Sequence, residues 1–211
     1  KNTLKKKLDL QSWNRKEHFE FFKDFDEPFY GATVTIDCTH AYKKAKELDC
    51  SFFIYSLHKT LLAINAIPEF RYRIENNEVI IHDNIDASAT IGRPDGTFGF
   101  SLIPFSEDLT TFKIQAQKEM TRVASTTGLF TRSFDMDNLI HFSAIPWLNF
   151  TSLSHARSYS LPDSCPKISF GKITTENNNK TMPMSVHVHH ALIDGLQLSQ
   201  FIDLFQDLMN N

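Results

Sequence analysis

The chain has 211 residues, of which 41% are apolar and 19 are phenylalanine, so it can bury a core without disulfides or structural metal, and large-scale disorder is excluded. A formal net charge of -3 gives no global attraction for nucleic acid, so an anionic ligand would have to meet local basic groups. Cys38, Cys50 and Cys165 are odd in number and lack Cys-x-x-Cys spacing, which argues for reduced, cytoplasmic thiols, and with no long apolar run neither a membrane span nor a signal peptide is expected.

Asn14 and Glu17 have the spacing of a capping box, and His18, Phe19 and Phe22 recur at helical intervals, predicting a short amphipathic helix to about Phe25. Val34, Ile36 and Cys38 alternate with Thr33, Thr35 and Asp37, so 32–39 reads as a half-buried strand. Thr39 is expected to cap a helix to Leu48, and Ser51 a longer one through Phe53, Leu57, Leu61 and Ile64, ending before Pro68. Residues 70–74 and 79–82, joined by Asn76-Asn77, read as a hairpin, and Asp95-Gly96 opens a strand over 97–105. Ser106, Glu107 and Asp108 start a helix striped by Leu109, Phe112, Ala116, Met120 and Val123. Strands are expected over 139–145, 167–173 and 181–190, then a closing helix with Leu198, Phe201, Ile202, Phe205 and Leu208 inward. Irregular interleaving of strands and helices predicts one α/β domain over 1–211, a mixed sheet covered by helices as a two-layer α+β sandwich.

Within the strand predicted to end at His190, alternation puts Met184, Val186, Val188 and His190 on one face and Ser185, His187 and His189 on the other. If the strand stays regular, His190 is the recessed imidazole and His189 lies on the more polar face. A neutral imidazole held in one tautomer can take a proton from a hydroxyl, which makes His190 a candidate general base. The competing readings are a satisfied core histidine and, for His187 and His189 two apart on one face, a metal site. Gly195 permits a sharp change of direction after the strand, and Asp194 stands where it caps the next helix.

His189-His190-Ala191-Leu192-Ile193-Asp194-Gly195 resembles the His-His-x-x-x-Asp-Gly signature of chloramphenicol acetyltransferases, which have distant relatives among 2-oxo-acid dehydrogenase acyltransferases and peptide-synthetase condensation domains. Residues 13–21, Trp-Asn-Arg-Lys-Glu-His-Phe-Glu-Phe, are similar to that family's amino-terminal segment, and 143–152, Ser-Ala-Ile-Pro-Trp-Leu-Asn-Phe-Thr-Ser, to its central one. The resemblance implies a CoA-dependent acyltransferase fold, acetyl-CoA as cosubstrate without metal, chloramphenicol or a similar alcohol as acceptor, and a homotrimer with active sites at subunit interfaces. It implies that His190 deprotonates the acceptor hydroxyl for direct attack on the thioester, with Ser143 stabilising the oxyanion. Asp194 and Arg15 match a structural salt bridge, and Ser169 a threonine that acts through water.

Phe22 stands where the family commonly has a tyrosine in the acceptor pocket and cannot donate the phenolic hydrogen bond. Tyr30 and Phe98 are read as aromatic walls of that pocket. Ile173 replaces a frequent tyrosine, and 153–164 departs from the family on the CoA side. The alternatives are the same chemistry on a different small alcohol and a non-catalytic binding protein on this fold.

Overall fold

The computed structural model describes residues 4–211, beginning with β1 (Lys5–Lys7), α1 (Lys16–Phe22) and β2 (Phe29–Asp37). Two helices follow, α2 (Thr39–Glu47) and α3 (Phe52–Ala66), then the hairpin β3 (Tyr72–Glu75) and β4 (Glu78–His82). Next come β5 (Asp86–Gly92), β6 (Phe98–Phe100), α4 (Leu109–Ala124) and β7 (Leu139–Ala144). β8 (Lys167–Phe170), β9 (Thr174–Glu176), β10 (Asn179–His189) and α5 (Gly195–Asn210) complete the order.

The main sheet has the strand order β2-β10-β8-β7-β5-β6, with β9 paired to β10 off that path, and β1, β4 and β3 form a separate small sheet. β8, β7 and β5 run parallel while their outer neighbours run antiparallel, so the sheet is mixed, as the interleaved pattern predicted. Period-2 alternation sends Ile140, Phe142, Ile168, Phe170, Met184, Val186 and Val188 into the core. There Phe142 meets Phe53 of α3 and Phe170 meets Phe205 of α5. α3 packs on α2, α4 and α5, and α2 also touches α5, giving a helical layer against a sheet, and the buried apolar side chains form one continuous cluster.

The other sheet face is polar. Ser143, Ser169, Ser185 and Thr33 lie in register across β7, β8, β10 and β2, and His141, Lys167, His187 and Gly31 form the next such row. A Cβ on Gly31 would come within 2.4 Å of the His187 ring, so glycine is what lets that imidazole lie across β2.

Several sequence expectations shift. β5 has no counterpart among the predicted strands, because Ala87, Ser88 and Ala89 are small and carry no bulky alternation, yet it pairs with both β6 and β7. The strand expected over 97–105 shrinks to β6 plus a single bridge from Ile103 to Ala87. Ser51 does cap α3, its Oγ accepting from the Ile54 N–H at 3.2 Å. Asn14 and Thr39 do not act as caps: Arg15 and Cys38 occupy those positions.

Candidate active site

β10 ends at His189, and His190 already lies in the turn that leads to α5. Its N–H donates to the Pro28 carbonyl at 2.9 Å, anchoring the turn to the start of β2. The ring stacks on Phe22 of α1, centroids 3.9 Å apart and planes 6° apart, and leans on Tyr30 at 4.5 Å. Nδ1 is buried, 3.3 Å from Asp194 Oδ1 but out of line for a hydrogen bond. Nε2 is therefore the ring nitrogen open to solvent.

The expected ranking of the two histidines is reversed in depth. His189 is only 5% exposed, whereas the His190 side chain is 34% exposed. The strand stops one residue early, so His190 escapes the recess that regular alternation would have given it. Their rings still go to different sides: His189 packs against Phe29, and its Nδ1 accepts from the Ala191 N–H at 3.2 Å. Burial, with Arg157 next in effect, pushes the His189 pKa down to about 4.

Arg15 ties α1 to the turn. It is 7% exposed and grips Asp194 with two bonds, Nε to Oδ2 at 2.8 Å and Nη2 to Oδ1 at 2.7 Å. Its remaining donors reach the His190 carbonyl at 3.2 Å and the Ala191 carbonyl at 3.0 Å. The Arg15 hydrogen bond holds the Asp194 carboxyl below the usual carboxylate range, and the Asp194 N–H donates to Gln197 Oε1 at 3.0 Å, starting α5. The Tyr30 hydroxyl donates to the Ile193 carbonyl at 3.2 Å, and burial followed by Asp194 pushes its pKa up to about 12.

Ser143 and Ser169 meet elsewhere, their hydroxyl oxygens 2.6 Å apart at the polar sheet face. Ser143 lines a cavity of about 620 Å³, with Phe100, Phe130, Phe134 and Met136 on one wall. His141, His155 and the Lys167–Asp163 ion pair also line it. His141 opens onto this space, yet desolvation and then the Lys167 ammonium push its pKa down to about 4. His155 is also pushed to about 4, by desolvation and then by His187.

Phe98 is not part of the cavity lining, being 47% exposed beside Phe100, and Phe22 and Tyr30 border His190 instead. No sequence spacing marks the wall residues Phe100, Phe130, Phe134, His141 and His155, because they converge from four separate segments.

His190 lies beyond Ser185 by five residues on the same chain segment, and Ser185 is level with Ser143 two strands away. At about 3.3 Å per residue and about 4.8 Å per strand, that places Ser143 and His190 roughly 19 Å apart within one copy.

Among the described residues, neither His187 nor His189 belongs to a group of three metal-type donors. Two such groups exist, Glu75–His82–Asp137 and His141–Asp163–Cys165. In each a lysine ammonium already sits on a carboxylate, Lys5 on Glu75 and Lys167 on Asp163.

A family model described as chloramphenicol acetyltransferase matches residues 4–206. Chloramphenicol acetyltransferase 3 of Escherichia coli is 31% identical, covering 97% of each chain, and chloramphenicol acetyltransferase 2 of Haemophilus influenzae is 26% identical over the same shares. A solved chloramphenicol acetyltransferase superposes with a TM-score of 0.88 at 31% identity, covering 98% of this chain and all of that one. The truncated catalytic core of a Thermoplasma acidophilum 2-oxoacid dehydrogenase complex reaches 0.66 at 14% identity over 94% of this chain and 92% of its own, a likeness of fold alone.

Proposed function

Since the chain belongs to the chloramphenicol acetyltransferase family, we propose that it moves the acetyl group of acetyl-CoA directly onto a hydroxyl of chloramphenicol, with His190 as general base. The observation that carries this reading is the setting of His190. Its ring is pinned between Phe22 and Tyr30, its backbone is held by Arg15 and Pro28, and its Nε2 is left free.

In the reaction, Nε2 of neutral His190 takes the hydroxyl proton as the acceptor oxygen bonds to the thioester carbonyl carbon. Negative charge moves to the carbonyl oxygen, where the Ser143 hydroxyl donates, held in place by Ser169 2.6 Å away. Collapse breaks the carbon–sulfur bond, and the His190 imidazolium returns its proton to the departing thiolate. No acyl-enzyme is needed. Arg15 and Asp194 act as positioning residues for the turn that bears His190.

The separation of Ser143 from His190 supports a homotrimer in which His190 of one subunit faces the Ser143 cavity of the next. We take the chain as one catalytic domain, on its continuous core, and its three free buried thiols support a cytoplasmic location. Among the described residues no helix is long and apolar enough to cross a membrane.

Measuring free CoA thiol released only when chloramphenicol is present tests the reading. Release that disappears in a folded His190→Ala variant is expected, and a folded wild type without release overturns the assignment. One observation favours a second reading, the same chemistry on a more polar alcohol: the wall formed by His141, His155, Lys167 and Asp163 offers hydrogen bonds. A panel of polar alcohols, at least one with kcat/KM above that for chloramphenicol, would establish it.

A further inference from the structure

The loop between α4 and β7 has almost no regular structure, yet it supplies the cavity wall residues Phe130, Phe134 and Met136. Short of secondary structure, such a wall needs other restraints to keep one shape. The restraints converge on a carboxylate that the chemistry does not use. Glu119, on α4, is 8% exposed, and its Oε1 accepts from the Leu102 N–H at 2.9 Å, from Arg122 Nη2 at 2.9 Å and from Arg132 Nη1 at 3.3 Å. Its Oε2 accepts from Arg122 Nε at 2.8 Å. Burial raises the Glu119 carboxyl, but these donors outweigh it and hold the group ionised, below its ordinary range.

Fixed in this way, Arg122 spends its remaining bonds on the loop, Nη1 to the Thr131 carbonyl at 3.1 Å and Nη2 to Thr131 Oγ1 at 3.0 Å. Thr131 Oγ1 in turn donates to the Phe100 carbonyl at 3.0 Å. Arg93 secures the near end, donating to the Gly128 carbonyl at 2.8 Å. The fork of Arg122 thus links a buried carboxylate on one side to the residue beside Phe130 on the other. Phe100, Phe130 and Phe134 meet within 6.5 Å of one another as a result.

We propose that Glu119 and Arg122 are positioning residues for acceptor specificity, setting through Thr131 the aromatic wall of the Ser143 cavity. This rests on the proposed function, with the Ser143 cavity taken as the place where the acceptor binds. The acceptor meets the wall and not the carboxylate, so loosening the hub should weaken acceptor binding while leaving proton transfer and the acetyl donor alone.

The test uses Glu119→Gln, which keeps size and loses charge, and the milder Thr131→Val, which removes only the bridging hydroxyl should Glu119→Gln fold poorly. The expected result is a chloramphenicol KM raised about tenfold, with kcat and the acetyl-CoA KM unchanged. Combining either variant with Phe130→Ala should add little, because both remove the same wall. Unchanged acceptor KM, equal shifts for both substrates, or a loss confined to kcat would overturn the proposal. If wild type acetylates no chloramphenicol, the functional reading fails by itself, and hydrogen exchange of loop amides 127–134 still decides. Faster exchange there in the variants, with the sheet unchanged, supports the hub, and unaltered exchange rejects it.

Discussion

His189 and His190 are adjacent, yet the turn after β10 gives them opposite fates. His189 is packed against Phe29 in a place that pushes its pKa down to about 4, so it is neutral and closed off at pH 7. Replacing His190 with alanine should all but abolish acetyl transfer in a protein that still folds. His189→Ala should instead lower Tm by opening a cavity while keeping most of the rate per folded molecule. A dead His189 variant beside an active His190 variant would reverse the assignment. Ser143→Ala should lower kcat by about a hundredfold, the size of a lost oxyanion donor, with KM little changed. An effect on KM alone would make Ser143 a binding residue. Acid stability follows from the same local environments. His141, His155 and His189 are pushed down to about 4, whereas an ordinary imidazole titrates near about 6.5. Between those values the unfolded chain binds more protons than the folded one, so stability should fall as pH falls from about 6.5 toward 4. Thermal melts across that window check this, and a His189→Gln variant should show a shallower decline.

Among the elements, α1 and α5 matter most for the site, and a single ion pair joins them. Arg15 is buried and Asp194 is 31% exposed, so the pair belongs between the buried and surface limits. Arg15→Ala or Asp194→Asn should cost about 2 to 4 kcal/mol, read from denaturant unfolding, and lower kcat by loosening the His190 turn. Because Arg15 holds the Asp194 carboxyl low, that contribution is present at neutral pH and is lost only as pH falls through the lowered value. Variants as stable and as active as wild type would show that the turn holds itself. The helices were legible because apolar stripes such as Leu198, Phe201 and Phe205 repeat with the helical period. β5 was not, because its residues are small and its place is set by pairing with β7.

At the scale of the whole molecule, extended-strand geometry puts the two halves of the proposed chemistry roughly 19 Å apart in one chain, and the proposed trimer would bring them together across a subunit interface. His190→Ala chains, nearly dead, and Ser143→Ala chains, slowed about a hundredfold, should together exceed the rate of either alone when unfolded and refolded as mixtures. Some mixed interfaces would then carry an intact His190 facing an intact Ser143. No recovery in a confirmed mixed assembly would place both groups within one subunit.

The family, the mixed sheet with its helices, and the candidates His190, Ser143, Asp194 and Arg15 were all legible in the residue order. These are written in local patterns: strand alternation, helical stripes, and a motif whose spacing survives on one strand–turn–helix. Tertiary structure alone decided that β10 stops at His189, that Phe22 covers the imidazole face, and that Ser143 opens into a cavity walled by Phe100 and Phe130. Each of these depends on contacts between segments distant in the chain, and such contacts leave no periodic trace in the residues that make them.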